Sequence, residues 1–218
     1  MNIVITDLTE MSPGKCCVAG WDVEERRMIR LLPNGSNWRE AWIDRYTVFP
    51  GYFGQPRPSG TATGSYPHLT KDAPIDPASL KPFVELTSDW IDQCPPETAP
   101  DLVSAFDGYL RWDSQWDGVK RGLHVWPGAQ CRSLVGLWLP RGNLELYGSD
   151  RLRGQFYDGV HIYDMAVSAR VLKRAWRAGG VEAATEALPD KAEVHVRVGL
   201  ARADARFPKC YAMLNGVL

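Results

Sequence analysis

The sequence predicts a mainly β, α+β protein, and the last third of the chain carries the clearest evidence for that class. Its segments run as three strands, one helix and two strands, over Ser133–Leu139, Leu144–Tyr147, Val160–Tyr163, about Met165–Ala178, Glu193–Leu200 and Lys209–Leu214. A five-stranded Greek-key OB barrel requires this order, with its helix between the third and fourth strands. Barrels of this class bind oligonucleotides or oligosaccharides on a defined face, so the fold prediction indicates where to look for a site.

The first third predicts a second, looser OB-like barrel. Its strand candidates are Asn2–Thr6, Lys15–Trp21, Arg27–Leu32, Thr47–Phe49 and Phe83–Leu86. The apolar spacing in Trp38–Arg45 predicts the helix of this barrel. Between the last two strand candidates, prolines and glycines interrupt every periodicity over residues 51–82. We expect an irregular loop there that borders a cleft, because loops of this length in compact domains are usually functional or mobile.

A strongly acidic segment separates the two predicted barrels. Residues 85–117 contain eight acidic side chains and a single basic one, Arg111, and the apolar spacing within Thr98–Trp116 predicts a helix. The predicted organisation is therefore two OB-like β-barrels joined by an acidic helical connector. The barrels span residues 1–90 and 126–218, and the connector spans residues 91–125.

Composition limits the classes of function. Nine Trp and 44% hydrophobic residues are ample for a folded core, and no run approaches the length of a membrane span. The first residues, Met1–Asp7, lack the basic and apolar regions of a signal peptide. Cys16 and Cys17 are adjacent, the other three Cys are scattered, and neither the Cys nor the four His show metal-binding spacing. We therefore expect a cytoplasmic protein with reduced thiols, no cofactor, no metal and no membrane partner.

The net charge of −1 hides an uneven distribution. Residues 1–84 are balanced, with nine basic and nine acidic side chains, whereas residues 118–218 contain fifteen basic and nine acidic ones. A local positive excess of this size attracts phosphate, although the chain as a whole does not. The sequence therefore favours a focused anion-binding site over a protein that coats nucleic acid.

The segment Arg151–Tyr163 combines cations with flat rings. Its candidate ligand-binding residues are Arg151, Arg153, Phe156, Tyr157, His161 and Tyr163. Single-stranded nucleic acid is bound by this combination, with rings stacking on bases and cations meeting phosphates. Alternation places His161 and Tyr163 on one face of a strand. The alternative interpretation is that half of these rings belong to the barrel core.

A cationic stripe follows on the predicted helix. Arg170, Lys173, Arg174 and Arg177 have the spacing i, i+3, i+4 and i+7, which aligns them on one helical face. This ridge would extend a phosphate-binding footprint, and the competing interpretation is an ordinary solvated face. In the first barrel, Trp21 and Arg30 form a thinner version of the same pattern and are secondary candidates.

Several short segments together resemble the dual OB-containing domain family of prokaryotic proteins. They are Cys17–Asp22, Met28–Pro33, Ser133–Leu137, Gly159–Asp164, Val198–Arg202 and Cys210–Gly216. His68 and Asp72 fall where that family places a polar segment in its long loop. The resemblance implies two OB barrels, recognition of nucleic acid or a nucleotide, and an association with conflict and defence systems. It implies no catalytic residues.

The sequence thus predicts a non-catalytic binding or sensor protein for nucleic acid, with single strands favoured, or for a nucleotide-like ligand. The resemblance places that sensor in a prokaryotic defence system. One alternative is a protein–protein interaction subunit that uses the acidic connector and the basic helix. A second alternative is a nucleotide-processing enzyme whose site comprises His68, Asp72, His161 and Asp164.

Overall fold

The computed structural model describes residues 1–12, 14–86 and 99–218. The chain divides into two compact units, one comprising Met1–Gly64 and Lys71–Glu97, the other Ser65–Thr70 and Thr98–Leu218. Each unit has its own cluster of buried apolar side chains. Among the described residues, no helix combines the length and apolarity needed to cross a bilayer.

The first unit is built mainly of β-strands. Its described elements are β1 (Ile3–Ser12), β2 (Lys15–Asp22), β3 (Arg27–Pro33), β4 (Trp38–Arg39), α1 (Glu40–Arg45), β5 (Tyr52–Gly54), β6 (Asp72–Ile75) and β7 (Val84–Glu85). The sheet order is β6-β3-β2-β1-β5-β7, and β4 pairs with β2. Strands β3 and β6 are parallel, and an antiparallel bridge joins Pro58, after β5, to Ile75 of β6. The sheet therefore curls back on itself.

The closing strands of the first unit differ from the sequence prediction. Thr47–Phe49 forms no strand, and the strand that pairs with β1 is β5. The predicted strand Phe83–Leu86 is present as β7, but it pairs with β5 at the margin of the sheet. The parallel partner of β3 is β6, which lies inside the predicted loop 51–82. Pro74 within β6 hid this strand from the sequence pattern, and an edge strand tolerates proline.

Strand β5 also lies within residues 51–82. Outside β5 and β6, this loop consists of irregular chain with two single 3-10 turns, His68–Thr70 and Pro77–Ser79. Within the first unit it borders a cleft of about 480 Å³ between the segments that contain Phe53 and Phe83. This placement agrees with the expectation of an irregular loop beside a cleft.

The second unit supplies the larger sheet. Its described elements are α2 (Leu102–Ala105), β8 (Ser114–Trp116), β9 (Val119–Arg121), β10 (His124–Val125), β11 (Leu134–Pro140), β12 (Leu144–Tyr147), β13 (Arg153–Tyr157), β14 (Ile162–Val167), α3 (Arg170–Glu186), β15 (Glu193–Leu200) and β16 (Cys210–Val217). The order is β11-β15-β16-β14-β13-β12, with β9 joined to β14, β8 to β9 and β10 to β16. The predicted mainly β, α+β class is confirmed.

The second sheet also curls. Strands β11 and β12 stand at opposite ends of the sheet order, yet they follow each other in the chain with only a 3-10 turn, Arg141–Asn143, between them. Strands β14 and β16 are parallel, while β15 pairs antiparallel with both β11 and β16. Four strands rather than three run from β11 to the helix, because Arg153–Tyr157 forms a strand of its own.

Strand alternation sorts the side chains of β13 and β14 between two faces. Phe156 of β13 and Tyr163 of β14 point into the core, where their rings lie 5.7 Å apart. Arg153 and Asp164 occupy the other parity on these strands. They consequently face outward, and this parity decides which of the predicted site residues can meet a ligand.

The segment predicted as an acidic helix forms only one short helix, α2, followed by strands β8, β9 and β10. Its part before residue 99 lies outside the described residues. Asp101 caps α2 by accepting from the Ser104 amide at 2.8 Å. Asp107 has a left-handed φ of 54°, pairs with Arg132 at 2.9 Å, and helps to end the helix. Asp101 and Asp107 act as a cap and an ion-pair partner, so they do not form the face of a long helix.

Helix α3 begins later and ends later than the sequence predicts. Residues 165–167 complete β14, and the helix spans Arg170–Glu186 with a break at Gly179 and Gly180, whose backbone angles are not helical. Trp176 packs against the core of the second unit.

Candidate functional site

A cleft of about 870 Å³ opens in the second unit, where Arg153 of β13, residues 164–166 of β14 and residues 211–213 of β16 line it. Two loops border it, residues 148–152 between β12 and β13 and residues 201–209 between β15 and β16. Its charged and aromatic lining consists of Arg121, Arg151, Arg153, Arg202, Lys209, Asp113, Asp164, Asp204, Phe207 and Tyr211. Five cations against three carboxylates leave the cleft positively charged, and the rings give it flat apolar surfaces.

The floor of the cleft is a row of polar side chains on four neighbouring strands. Asp164 of β14 is in register with Arg121 of β9, and Arg153 of β13 is in register with Tyr147 of β12. Arg153 and Asp164 are diagonal neighbours across the β13–β14 pair. Side chains of matching parity on adjacent strands share a face, so the sheet itself brings these four groups together.

Asp164 binds both arginines of this row. Its Oδ1 accepts from Nε of Arg153 at 2.8 Å, and its Oδ2 accepts from Nε of Arg121 at 3.2 Å. Burial disfavours the charged form of Arg153, but hydrogen bonds to Asp164 and Tyr147 outweigh that cost and raise the pKa of its guanidinium. Burial raises the pKa of the Tyr147 phenol. The row is therefore a fixed cationic floor with an anion at its centre.

The loop 148–152, which carries Arg151, is held in a defined shape. Gly148 has a φ of +114°, and a Cβ there would stand 2.1 Å from the carbonyl oxygen of Arg151. The indole of Trp176 on α3 donates to the Gly148 carbonyl at 3.2 Å. Only glycine fits this turn. The loop and the helix together present the exposed Arg151 side chain at the rim of the cleft.

The loop 201–209 forms the opposite wall. Asp204 Oδ1 accepts from the backbone amides of Arg206 and Phe207 at 2.8 and 2.7 Å, which folds the loop into a tight turn. Lys209 forms an ion pair with Asp113, and its ammonium group lies 5.2 Å from the ring of Trp126. The loop is thus tied at its end to a carboxylate and an indole.

Two aromatic rings of the cleft lining, Phe207 and Tyr211, begin a series of ring contacts that continues beyond it. Phe207 and Tyr211 meet edge to face at 6.5 Å, and Tyr211 meets His124 at 5.9 Å. His124 in turn contacts Trp126 at 5.5 Å. Phe207 and Trp126 are about half exposed, at 49% and 54%. These two rings offer accessible faces beside the cations of the cleft.

The ion pair between Asp113 and Lys209 makes stability depend on pH. Burial alone would raise the pKa of Asp113, but the hydrogen bond and charge of Lys209, together with His124 and the Tyr211 hydroxyl, outweigh burial and hold this pKa below its ordinary 3.8. A depressed folded-state pKa stabilises the protein above the unfolded value, and that contribution is lost as the pH falls through the folded value. We expect Asp113→Asn to lower the melting temperature at neutral pH by an amount that shrinks below pH ~4. Thermal unfolding from pH ~3 to ~7 measures this, and a pH-independent difference would contradict it.

The structure divides the candidates from the Arg151–Tyr163 segment. Arg151 and Arg153 line the cleft. Phe156 and Tyr163 are 1% and 0% exposed, so the prediction that they stack on bases is wrong: strand parity places both rings in the core. Tyr157 is exposed but lies outside the cleft lining, and its hydroxyl donates to the Gly159 carbonyl.

His161 is half-buried, and its ring contacts Tyr163 at 6.0 Å. The two residues share a face, as alternation predicts. Asp164, which the enzymatic alternative grouped with His161, lies on the opposite parity and is bound by two arginines. Across residues 1–12, 14–86 and 99–218, no three His, Cys, Asp or Glu side chains gather in a way that would hold a metal ion.

Only part of the predicted cationic stripe on α3 is exposed at the surface of the second unit. Arg170 is 3% exposed at the first turn of the helix, so it is not available as part of a continuous ridge. Lys173 is half-buried, and Arg174 and Arg177 are exposed. These side chains do not line the cleft, and the solvated-face interpretation suits Arg174 and Arg177.

The secondary candidates have structural roles. Trp21 is 5% exposed. Arg30 and Asp72 form an ion pair at 3.1 Å with both side chains buried, across the parallel pair β3–β6. His68 is 2% exposed, and its Nε2 lies 3.0 Å from the Leu200 carbonyl oxygen. The prediction that Trp21 and His68 contact a ligand is wrong, because both side chains are buried away from solvent.

Sequence reasoning missed most of the charged and aromatic side chains that line the cleft. The missed lining residues include Arg121, Arg202, Lys209, Phe207 and Tyr211. A useful signal was present in Arg206–Tyr211, where two cations alternate with two rings at the start of the final strand. Arg121 offered no such signal, since its place depends on a parallel pairing with a strand about 40 residues away.

Comparisons with known proteins do not identify a function for this chain. No family model matches the chain, and no curated protein matches it. Among solved structures, the chain is similar to a murine DNA-binding protein bound to double-stranded DNA, with 8% identity over 100% of this chain and 95% of that chain. The TM-score is 0.34, which does not establish a common fold, so this likeness carries no argument.

Proposed function

We propose that the second unit is an OB barrel. In this assignment β11 and β12 together form the first strand, bent at the turn between them. Strands β13, β14, β15 and β16 are the second to fifth, and α3 lies between the third and fourth. The parallel pairing of β14 with β16 and the antiparallel pairing of β11 with β15 support this assignment.

The first unit fits the same scheme with shorter strands. Here β1, β2, β3, β5 and β6 are the five barrel strands, and α1 lies between the third and fourth. The parallel pair β3–β6 and the bridge from Pro58 to Ile75 support closure. A chain of two such barrels agrees with the resemblance to the dual OB-containing domain family, and a sensor role in a prokaryotic defence system is part of this proposal.

The function that the site supports best is binding of single-stranded nucleic acid, or of a nucleotide, in the cleft of the second unit. The observation that carries it is the position of the cleft against strands two and three and the start of strand five, between the loop joining strands one and two and the loop joining strands four and five. OB barrels bind oligonucleotides on this face. Cations on the floor and rim then meet phosphates, while exposed rings on the wall stack on bases.

A single strand suits the cleft better than a duplex. Stacking on Phe207 or Trp126 requires an unpaired base whose face is open, and a single strand offers one at every nucleotide. The alternative of a partner-binding subunit has less support, since Asp101, Asp107 and Asp113 of the acidic segment already cap a helix or pair with cations of the second unit.

Equilibrium binding of a labelled strand of about 8 nucleotides tests this proposal. We expect affinity that falls with added salt, and Arg151→Gln should lower the slope of log K against log salt by about 0.7, the value for one phosphate contact on a single strand. Arg174→Gln on α3 is the matched control and should leave both affinity and slope unchanged. Absence of binding at low salt, or an equal effect of the two variants, would contradict the proposal.

A further inference from the structure

Asp164 is the most enclosed charged group of the cleft. Its side chain is 2% exposed, and each of its two oxygens accepts a hydrogen bond from the Nε of a different arginine. Arg121 and Arg153 approach it from strands on either side of β14. Their side chains remain 36% and 20% exposed, so the arginines reach the cleft while the carboxylate does not.

The contacts through Nε leave other donors of both guanidinium groups for a ligand. A guanidinium has five N–H donors, and Arg153 uses its Nε for Asp164 and for the Tyr147 hydroxyl. Arg121 uses Nε for Asp164 and Nη1 for the Trp116 carbonyl at 3.3 Å. The planar fork of arginine matches a phosphate group, which accepts two parallel hydrogen bonds from it.

We propose that Arg121 and Arg153 form a seat for one phosphate group, and that Asp164 is the positioning residue that holds both arginines in place. The seat deepens the proposed function and rests on it, since it specifies the group of the strand or nucleotide that the floor of the cleft engages. The ligand class is a phosphate mono- or diester or a polyphosphate. Preorganised arginines bind such a group without first losing the freedom of two long side chains.

The seat and simple charge attraction predict opposite changes in ligand affinity for one variant. Asp164→Asn removes a negative charge from a cleft that binds an anion, so attraction alone predicts tighter binding. The seat predicts weaker binding, because an amide cannot accept strongly from both guanidinium groups at once. The matched control is Asp204→Asn, which removes the same charge from the same cleft, while an Asn side chain still accepts from the amides of Arg206 and Phe207.

A second variant tests the seat without altering net charge or a buried group. Arg153→Lys keeps the positive charge on a partly exposed side chain, but an ammonium is a point charge that lacks the fork. The seat predicts that this variant also weakens binding. In an Arg121→Gln/Arg153→Gln background, Asp164→Asn should have no further effect, because a positioning residue acts only through the groups that it positions.

The experiment measures the affinity of the full chain and these variants for two probes, a single strand of about 8 nucleotides and inorganic tripolyphosphate, which has no bases. We expect Asp164→Asn and Arg153→Lys to weaken both probes roughly fivefold or more, and Asp204→Asn not to weaken either. Thermal unfolding shows whether each variant is folded. If the Asp164→Asn protein does not fold, the affinity of the Arg153→Lys protein tests the seat.

The outcomes distinguish the seat from the function on which it rests. If the strand binds the wild type, and binds the two variants equally well or more tightly, the seat is overturned. The proposal that the cleft binds a strand is then unaffected. If the two variants weaken tripolyphosphate binding and no protein binds the strand, the seat is supported. The proposal that a single strand is the ligand is then overturned. Failure of the wild type to bind either probe overturns both.

Discussion

Replacing Phe207 and Tyr211 together by alanine is expected to weaken single-strand binding by about 1–3 kcal/mol for each base that loses its stacking partner. Phe207 is half exposed, and the two rings meet edge to face on the wall of the cleft. The substitutions remove no charge, so the slope of log K against log salt should not change. Fluorescence anisotropy over a salt series measures both quantities.

Tyr157→Ala is the matched control for this prediction. Tyr157 is also an exposed ring on the second unit, at 42%, but it does not line the cleft. We expect its loss to leave binding unchanged. If Tyr157→Ala weakens binding as much as the double variant does, the bases do not stack on the wall formed by the loop 201–209.

Phe156→Ala is expected to cost about 3–5 kcal/mol of the free energy of unfolding, because it removes a large ring from a packed core. Phe156 is 1% exposed and packs on Tyr163. The adjacent residue on the same strand, Tyr157, faces the other way, and its replacement by alanine should cost within about 0.5 kcal/mol. Denaturant unfolding of the two variants, compared at equal protein concentration, tests which face of β13 is inside.

Any folded Phe156→Ala protein should keep the charge-dependent part of strand binding, since the cations of the cleft lie on the opposite face. A variant of normal stability with lost affinity would instead return Phe156 to the binding surface and reverse the assignment of faces on β13.

The sequence predicted the class of fold because most of the longer strands and the helix α3 leave a local pattern. The alternating run Glu193–Leu200 and the amphipathic stretch before it are such patterns, and both elements are present. Strand β6 was missed because its Asp-Ala-Pro-Ile sequence has no alternation, and only its long-range pairing with β3 makes it a strand.

The candidate site was predictable only in part, for a reason that Phe156 and Arg153 illustrate. Alternation shows that residues 153 and 156 differ in parity, but it does not show which parity faces the core. That choice is made by packing of the whole sheet. Arg121 reaches Asp164 through a parallel pairing across 43 residues of sequence, and no local pattern records such a contact.

Photo-cross-linking of a single strand that contains iodouracil tests most directly whether the cleft of the second unit binds nucleic acid. Irradiation joins the substituted base to a ring that lies against it, and mass spectrometry of the digested complex identifies the residue. The account predicts adducts at Phe207, Tyr211 or Trp126, suppressed by excess unlabelled strand and by added salt. Adducts confined to the first unit or to helix α3, with none on the wall of the cleft, would contradict it.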